Sequence, residues 1–146
     1  MSAIDIRRLT LRNELVELER LAGWLESWAK QDVSSDLSLA VQLCLEEVVA
    51  NVIMHGAARD TRLEITVELE HAPGTLVARI EDNGREFDPT QAPPPTVGSS
   101  LEELNVTNLG IHLVRSFADG MEYKRRDNHN QLVLRFTEPD GVLHCS

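Results

Sequence analysis

The segment from residue 43 to residue 56, LCLEEVVANVIMHG, constrains the fold more than any other part of the sequence. Its apolar residues cover most of a helix circumference, which predicts a core helix at about residues 35–55. Glu47, Asn51 and His55 interrupt this pattern at intervals of four, so they form one polar stripe, and Gly56 suits the end of the helix. Because burying unpaired polar groups is costly, the stripe predicts a ligand, a metal or a polar partner; the alternative is a solvent-facing seam.

The remaining patterns predict a sheet and two further helices. Alternating apolar residues and turn residues indicate strands at about residues 4–9, 63–69, 76–80, 121–124 and 132–136, with tight turns at 73–74 and 127–130. Helices are expected at about residues 14–31, with Asn13 as the N-cap, and at 109–118. Trp24 and Trp28, one turn apart in the first helix, are either core anchors or partner contacts. The arrangement predicts an α+β two-layer sandwich, with a mixed, mostly antiparallel sheet covered on one face by three helices.

Composition narrows the function further. The chain has 146 residues, which suits one domain, and a formal net charge of -10, which argues against nucleic acid as the main partner. We expect a cytoplasmic protein, because the N-terminus lacks a signal-peptide core and no apolar run approaches the length of about 18 residues needed to span a bilayer. Cys44 and Cys145 are far apart and form no CxxC pair, so both are expected to be plain thiols.

Residues 89–107 break the regular pattern. Three consecutive prolines at 93–95 and the Gly-Ser-Ser sequence at 98–100 do not favour a helix or strand. Such a segment is either disordered or a lid over a site, since long loops in compact domains often cover binding sites. We favour a lid.

Two further segments accompany the polar helix. Residues 80–89, IEDNGREFDP, follow a strand pattern, and residues 108–114, NLGIHLV, open a helix pattern. With residues 43–56, in this order and at this separation, they resemble the N, G1 and G2 boxes of the GHKL (Bergerat) ATPase superfamily. Within it the chain most resembles the anti-sigma factor serine/threonine kinases of the RsbW type, over nearly its whole length. The resemblance implies a single histidine kinase-like ATPase domain over residues 1–146, with its ATP lid at about 89–107.

The resemblance also implies roles for the polar stripe. Asn51 would be the protein ligand of Mg²⁺, and Glu47, one turn earlier, would accept the proton of the attacking hydroxyl. The spacing is reasonable, because four helical residues rise about 6 Å and Mg²⁺ takes few ligands from the protein itself. His55 would either touch a phosphate or close the helix end, where a histidine is favourable.

The other two boxes would bind the nucleotide. By resemblance, Asp82 accepts the exocyclic amino hydrogen of adenine, while Gly84 lets the chain turn closely beside it. Gly110 permits close approach of phosphate to the start of the next helix. Asn108 stands where the family usually has a glycine, and Asn tolerates a left-handed backbone better than most residues. A threonine common in the family's last strand has no clear counterpart around residues 131–132.

Two functions therefore remain open. The first is an ATP- and Mg²⁺-dependent serine/threonine kinase that phosphorylates an anti-anti-sigma (STAS) protein and sequesters a sigma factor. The second is a non-catalytic partner-switching module that holds ATP weakly or not at all, which Asn108 favours. A sensor histidine kinase catalytic domain fits less well, because no upstream dimerisation helix or phosphoacceptor histidine segment is present. Relatives commonly pair as homodimers, and no direct nucleic-acid or membrane partner is expected.

Overall fold

The protein is described here by a computed structural model, which covers residues 4–30, 33–56, 61–91 and 106–138. Five strands form one sheet in the order β1-β2-β3-β5-β4. The strands are β1 (Asp5–Arg12), β2 (Glu64–Ala72), β3 (Thr75–Asp82), β4 (Gly120–Arg126) and β5 (His129–Thr137). The helices are α1 (Glu17–Ala29), α2 (Ser35–His55) and α3 (Val106–Phe117), with a 3₁₀ turn at Pro89–Gln91. The predicted α+β fold is confirmed.

The two faces of the sheet differ in chemistry. Leu9, Val67, Ile80 and Leu132 lie side by side on β1, β2, β3 and β5, and all four are buried in the core that the helices cover. The opposite face is polar, as at Glu68, which pairs with arginines of the neighbouring strands. This alternation gives the two layers, because successive strand residues point to opposite faces.

The sheet was expected to be mixed, but every strand pairing within the described ranges is antiparallel. The reason is the position of β5. The connection from β3 through α3 to β4 brings β4 to the edge of the sheet, and the β4–β5 hairpin then inserts β5 between β3 and β4. The two strands on either side of the crossover therefore never become neighbours.

Helix α2 has the predicted bounds, and its start is capped by Ser34, whose Oγ accepts the Leu37 N–H at 3.2 Å. Its length and composition alone would allow it to cross a membrane, which differs from the expectation that no run of the sequence could do so. Its buried residues nevertheless pack in the core with the sheet: Leu37, Ala40, Val41, Cys44, Leu45, Val48 and Val49. The apolar composition is thus that of a core helix.

The N-terminal region departs from the prediction. Helix α1 begins at Glu17, and Val16 occupies the cap position without a side-chain hydrogen bond. Asn13 is therefore not the N-cap. Its side chain instead donates to the Thr61 carbonyl at 2.8 Å and accepts the Leu63 N–H at 2.9 Å, which joins the end of β1 to the start of β2. A side chain with two strong backbone partners elsewhere does not compete for the helix end.

The two tryptophans of α1 were expected to be either core anchors or partner contacts, and the structure places both against the core. Trp28 is buried, and the partly buried Trp24 packs against the same core. In β1, Leu9 and Leu11 point inward, while Ile6 is exposed on the other face.

The C-terminal hairpin is tighter than predicted. Its turn consists of Asp127 and Asn128, which have φ angles of 51° and 63°, as a two-residue type I′ turn requires. His129 and Asn130, expected in the turn, already belong to β5. Of the predicted lid, residues 92–105 lie outside the described residues, while its ends form the 3₁₀ turn and the first residues of α3.

Candidate functional site

A pocket lies where the C-terminal half of α2 meets the ends of β3 and the start of β5. It encloses about 530 Å³ of space not filled by atoms, part of it open to solvent. Polar side chains of Asn51, His55, Asp82 and Asn130 line it. Much of the remaining wall is apolar and comes from α2, the sheet and α3: Val48, Val52, Ile80, Ile111 and Leu132. Mostly apolar walls with a few polar groups are typical of small-molecule sites.

Asp82 is the buried acid of this pocket, with a relative exposure of 5%. It is the last residue of β3, so the strand ends as its side chain enters the pocket. Its Oδ1 accepts the Gly84 N–H at 2.8 Å and a hydrogen from Asn130 Nδ2 at 3.0 Å. Within the described residues Oδ2 has no hydrogen-bond partner. The carboxylate is thus anchored by one oxygen and leaves the other available to a ligand.

Gly84 lies behind Asp82, against the end of α2. A Cβ built on Gly84 would lie 2.5 Å from the Gly56 carbonyl oxygen and 2.9 Å from Asp82 Oδ1. Arg85 N–H donates to the same Gly56 oxygen at 2.8 Å, and Arg125 Nη1 donates to the Gly84 oxygen at 2.7 Å. Residue 84 must therefore be a glycine, so that the bend can approach the helix end this closely.

The polar stripe of α2 runs beside the pocket. Asn51 and His55 line it, with Asn51 half-buried and His55 exposed. Glu47 is half-buried one turn before Asn51 and is not part of the pocket wall. Glu46 faces away toward α1, where burial and then the nearby Glu26 raise its pKa. The two adjacent glutamates thus lie in different surroundings.

Asn108 and Gly110 lie in the first turns of α3, and their side-chain environments are outside what the structure describes. The next residue, Ile111, is buried and lines the pocket, so this end of α3 borders the site. Further along, Cys44 Sγ of α2 lies 4.0 Å from the Val114 carbonyl oxygen. Burial raises the pKa of the Cys44 thiol to about 12, so this cysteine is an inert core residue.

Asn130 was missed by sequence reasoning, which placed it in a turn. It is 6% exposed, and its amide contacts Asp82, two backbone groups of residues 85–87 and the Tyr123 hydroxyl. A polar residue that begins an alternating apolar strand was the available signal. It indicates a buried amide only once the turn is known to end at residue 128.

Across the described ranges, no group of three or more His, Cys, Asp and Glu side chains could hold a metal ion.

Comparisons with known proteins agree with this geometry. Residues 11–136 match the family described as the histidine kinase-like ATPase domain. The chain is 33% identical to the serine/threonine-protein kinase BtrW of Bordetella bronchiseptica over 112 residues, which are 76% of this chain and 79% of that protein.

Two solved structures share the fold. The RsbU and RsbW domains of Rv1364c from Mycobacterium tuberculosis superpose with a TM-score of 0.65 at 15% identity, over 92% of this chain and only 33% of that chain. The histidine kinase domain of a blue-light activated kinase from Erythrobacter litoralis gives 0.54 at 16% identity, over 84% of this chain and 59% of that one. The chain therefore belongs to the histidine kinase-like ATPase domain family.

Proposed function

We propose that this protein is an ATP-binding anti-sigma regulatory factor that phosphorylates a serine or threonine of an anti-anti-sigma (STAS) partner. The observation that carries the proposal is the buried Asp82, anchored through one carboxylate oxygen at a pocket that Asn51 also lines. In a family of ATPase domains, a single buried acceptor beside apolar walls suits a purine base.

Asp82 recognises the base. Its unpartnered oxygen accepts a hydrogen from the exocyclic amino group of adenine, while Val52, Ile80 and Leu132 supply apolar contact. Guanine carries a carbonyl at that position, so its oxygen would oppose the carboxylate. A site built around one buried acceptor discriminates strongly against a ligand without the matching donor.

Asn51 and Glu47 serve the phosphate end. The Asn51 side-chain oxygen is the protein ligand for Mg²⁺, which neutralises phosphate charge when bound. Glu47 lies about 6 Å from Asn51 along the helix axis and accepts the proton of the substrate hydroxyl. At the same time the hydroxyl oxygen forms a bond to the terminal phosphorus of ATP, and the bond between that phosphorus and ADP breaks. The first turn of α3, which includes Asn108, holds phosphate oxygens with backbone N–H groups that the helix itself does not pair, and Gly110 in the next turn permits close approach. His55 either assists there or closes α2, and residues 89–107 form the lid.

Charge explains how phosphorylation would release the STAS partner. Phosphorylation adds negative charge to the STAS partner, and this protein already carries a net charge of -10, so the product complex is weakened. As the resemblance implies, the protein then sequesters a sigma factor and acts in the cytoplasm as one domain spanning residues 1–146.

ATP binding is the first test. Calorimetric titration with ATP, with and without Mg²⁺, should show binding that Asp82→Asn weakens on the order of 10- to 100-fold, since a charge-assisted hydrogen bond is lost. The absence of binding at millimolar nucleotide would exclude the kinase and leave the non-catalytic module that binds no ATP.

Phosphoryl transfer is the second test, read as a mass increase on candidate STAS proteins. Glu47→Gln should lower the rate roughly 10²- to 10⁴-fold while ATP binding persists. Glu46→Gln is the matched control, because Glu46 lies on the α1 side of the helix, and it should leave the rate within about threefold. Equal rates in wild type and Glu47→Gln would exclude Glu47 as the base.

The alternative is a non-catalytic partner-switching module of the same fold. Asn108, at a position where glycine is usual in the family, favours it. Binding of ATP and of a partner without any mass increase on the partner would select this alternative.

A further inference from the structure

We propose that Asn130 is a positioning residue that fixes the orientation of Asp82 and thereby sets the base selectivity of the pocket. The selectivity part rests on the proposed function, whereas the positioning part concerns the protein alone. Asn130 itself has no assigned role in the sequence-derived site.

The side-chain amide of Asn130 is fully used. Nδ2 donates to Asp82 Oδ1 at 3.0 Å and to the Arg85 carbonyl at 2.7 Å. Oδ1 accepts the Phe87 N–H at 3.4 Å and the Tyr123 hydroxyl hydrogen. An amide has two donor and two acceptor sites, so the Asn130 side chain, which is 94% buried, finds all of its partners inside the protein.

These partners also determine which way the amide points. Both neighbours of Nδ2 are acceptors, and both neighbours of Oδ1 are donors. A flipped amide would set its oxygen against the Asp82 carboxylate and the Arg85 carbonyl, and its NH₂ against the Phe87 N–H. Only one orientation satisfies the network, and in it Nδ2 is directed at Asp82.

Tyr123 keeps the network in this state. A tyrosine phenol is protonated at neutral pH, and burial raises the pKa of Tyr123 further, so its hydroxyl donates to Asn130. The chain of contacts thus runs from β4 through β5 to the end of β3. It joins three strand positions that are distant in sequence into one rigid support.

The consequence falls on Asp82. With Oδ1 held by Asn130 and by the Gly84 N–H, the carboxylate cannot rotate freely, and Oδ2 is the oxygen left for a ligand. Without Asn130 the carboxylate loses one of two anchors, so both oxygens become available in several orientations. Binding of a base that donates to one fixed acceptor should then weaken.

The test compares ATP with inosine triphosphate, which lacks the exocyclic amino group, by calorimetry on the full chain. Asn130→Leu should lower ATP affinity about 10- to 100-fold and inosine triphosphate affinity less than about threefold, so that their ratio falls toward one. Tyr123→Phe, which removes one contact to Asn130, should lower the ratio about 3- to 10-fold. A merely structural role would change both affinities together.

Asn83→Ala is the matched control. Asn83 also uses its side chain on the backbone, accepting the Glu64 N–H at 2.9 Å, but it is exposed, and within the described residues its side chain makes no hydrogen bond to Asp82. The ATP to inosine triphosphate ratio should stay within about twofold of wild type in this variant. An unchanged ratio in Asn130→Leu would overturn the selectivity role, and if that variant does not fold, Tyr123→Phe decides in the same way.

A second readout needs no nucleotide. Exchange of the Gly84 amide hydrogen reports the hydrogen bond to Asp82 Oδ1, so Tyr123→Phe and Asn130→Leu should speed it about tenfold or more relative to wild type. If wild type binds neither nucleotide, the proposed function fails, and this exchange rate alone decides whether Asn130 positions Asp82. Exchange at the wild-type rate in the folded variants would refute the positioning role.

Discussion

Gly84→Ala is the most direct test of how the pocket is built. The added methyl carbon would lie 2.5 Å from the Gly56 carbonyl oxygen, 2.9 Å from Asp82 Oδ1 and 3.0 Å from Leu63 Cδ1. Ordinary contacts of this kind are near 3.4 Å or longer, so the bend must move by close to an ångström. Two hydrogen bonds of 2.8 Å, from Gly84 to Asp82 and from Arg85 to Gly56, are then stretched.

The cost can be estimated from its parts. Overpacking against a backbone atom costs about 1–3 kcal/mol, and weakening a buried hydrogen bond adds roughly 1 kcal/mol. We therefore expect the free energy of unfolding to fall by about 2–4 kcal/mol, or about 6–12 °C in Tm for a chain of this size. ATP affinity should fall as well, because the anchor of Asp82 moves.

Urea unfolding followed by circular dichroism measures this change. Gly23→Ala is the control, because an added Cβ at this exposed position of α1 meets nothing within 4 Å. It should raise stability by roughly 0.5–1 kcal/mol, since alanine is the better helix former. The reasoning would be refuted if Gly84→Ala were within about 0.5 kcal/mol of wild type.

Two further predictions concern titratable groups away from the pocket. In a Cys145→Ser background, Cys44 should react with a disulfide reagent at pH 8 at least about 100-fold more slowly in the native protein than in denaturant. The reason is that burial raises the pKa of the Cys44 thiol to about 12. Equal rates in the two states would contradict the placement of Cys44 in the core. The hydrogen bond from Arg8, helped by the charges of Arg8 and Arg79 and opposed by burial, lowers the pKa of Glu68. A lowered folded pKa means that Glu68 stabilises the protein above its unfolded pKa of about 4.3 and that this contribution is lost as pH falls through the folded pKa. Glu68→Gln should therefore destabilise the protein at pH 7, and its difference from wild type in urea unfolding should shrink toward pH 3; a constant difference would count against the ion pairs.

The sequence by itself determined the elements with strong local signals. Periodicity and the Ser34 and Gly56 ends gave α2 its bounds, and the Pro73-Gly74 turn gave the β2–β3 hairpin. These features depend on residues a few positions apart, so local patterning is enough to predict them. The order of the three boxes likewise indicated the family, and each contributes a residue to the same pocket: Asn51, Asp82 and Ile111.

Only the tertiary structure decided the contacts between distant segments. Asn130 donates a hydrogen bond to Asp82, which lies 48 positions earlier in the sequence. Asn13 does not cap α1, because its side chain bonds to the backbone of Thr61 and Leu63 just before β2. Gly84 is required because the Gly56 carbonyl approaches it from another element. No local pattern encodes such pairings, because a side chain takes the partner that the folded sheet brings within hydrogen-bonding distance. Periodicity therefore fixed which segments form helices and strands, and packing fixed which polar groups meet to make the site.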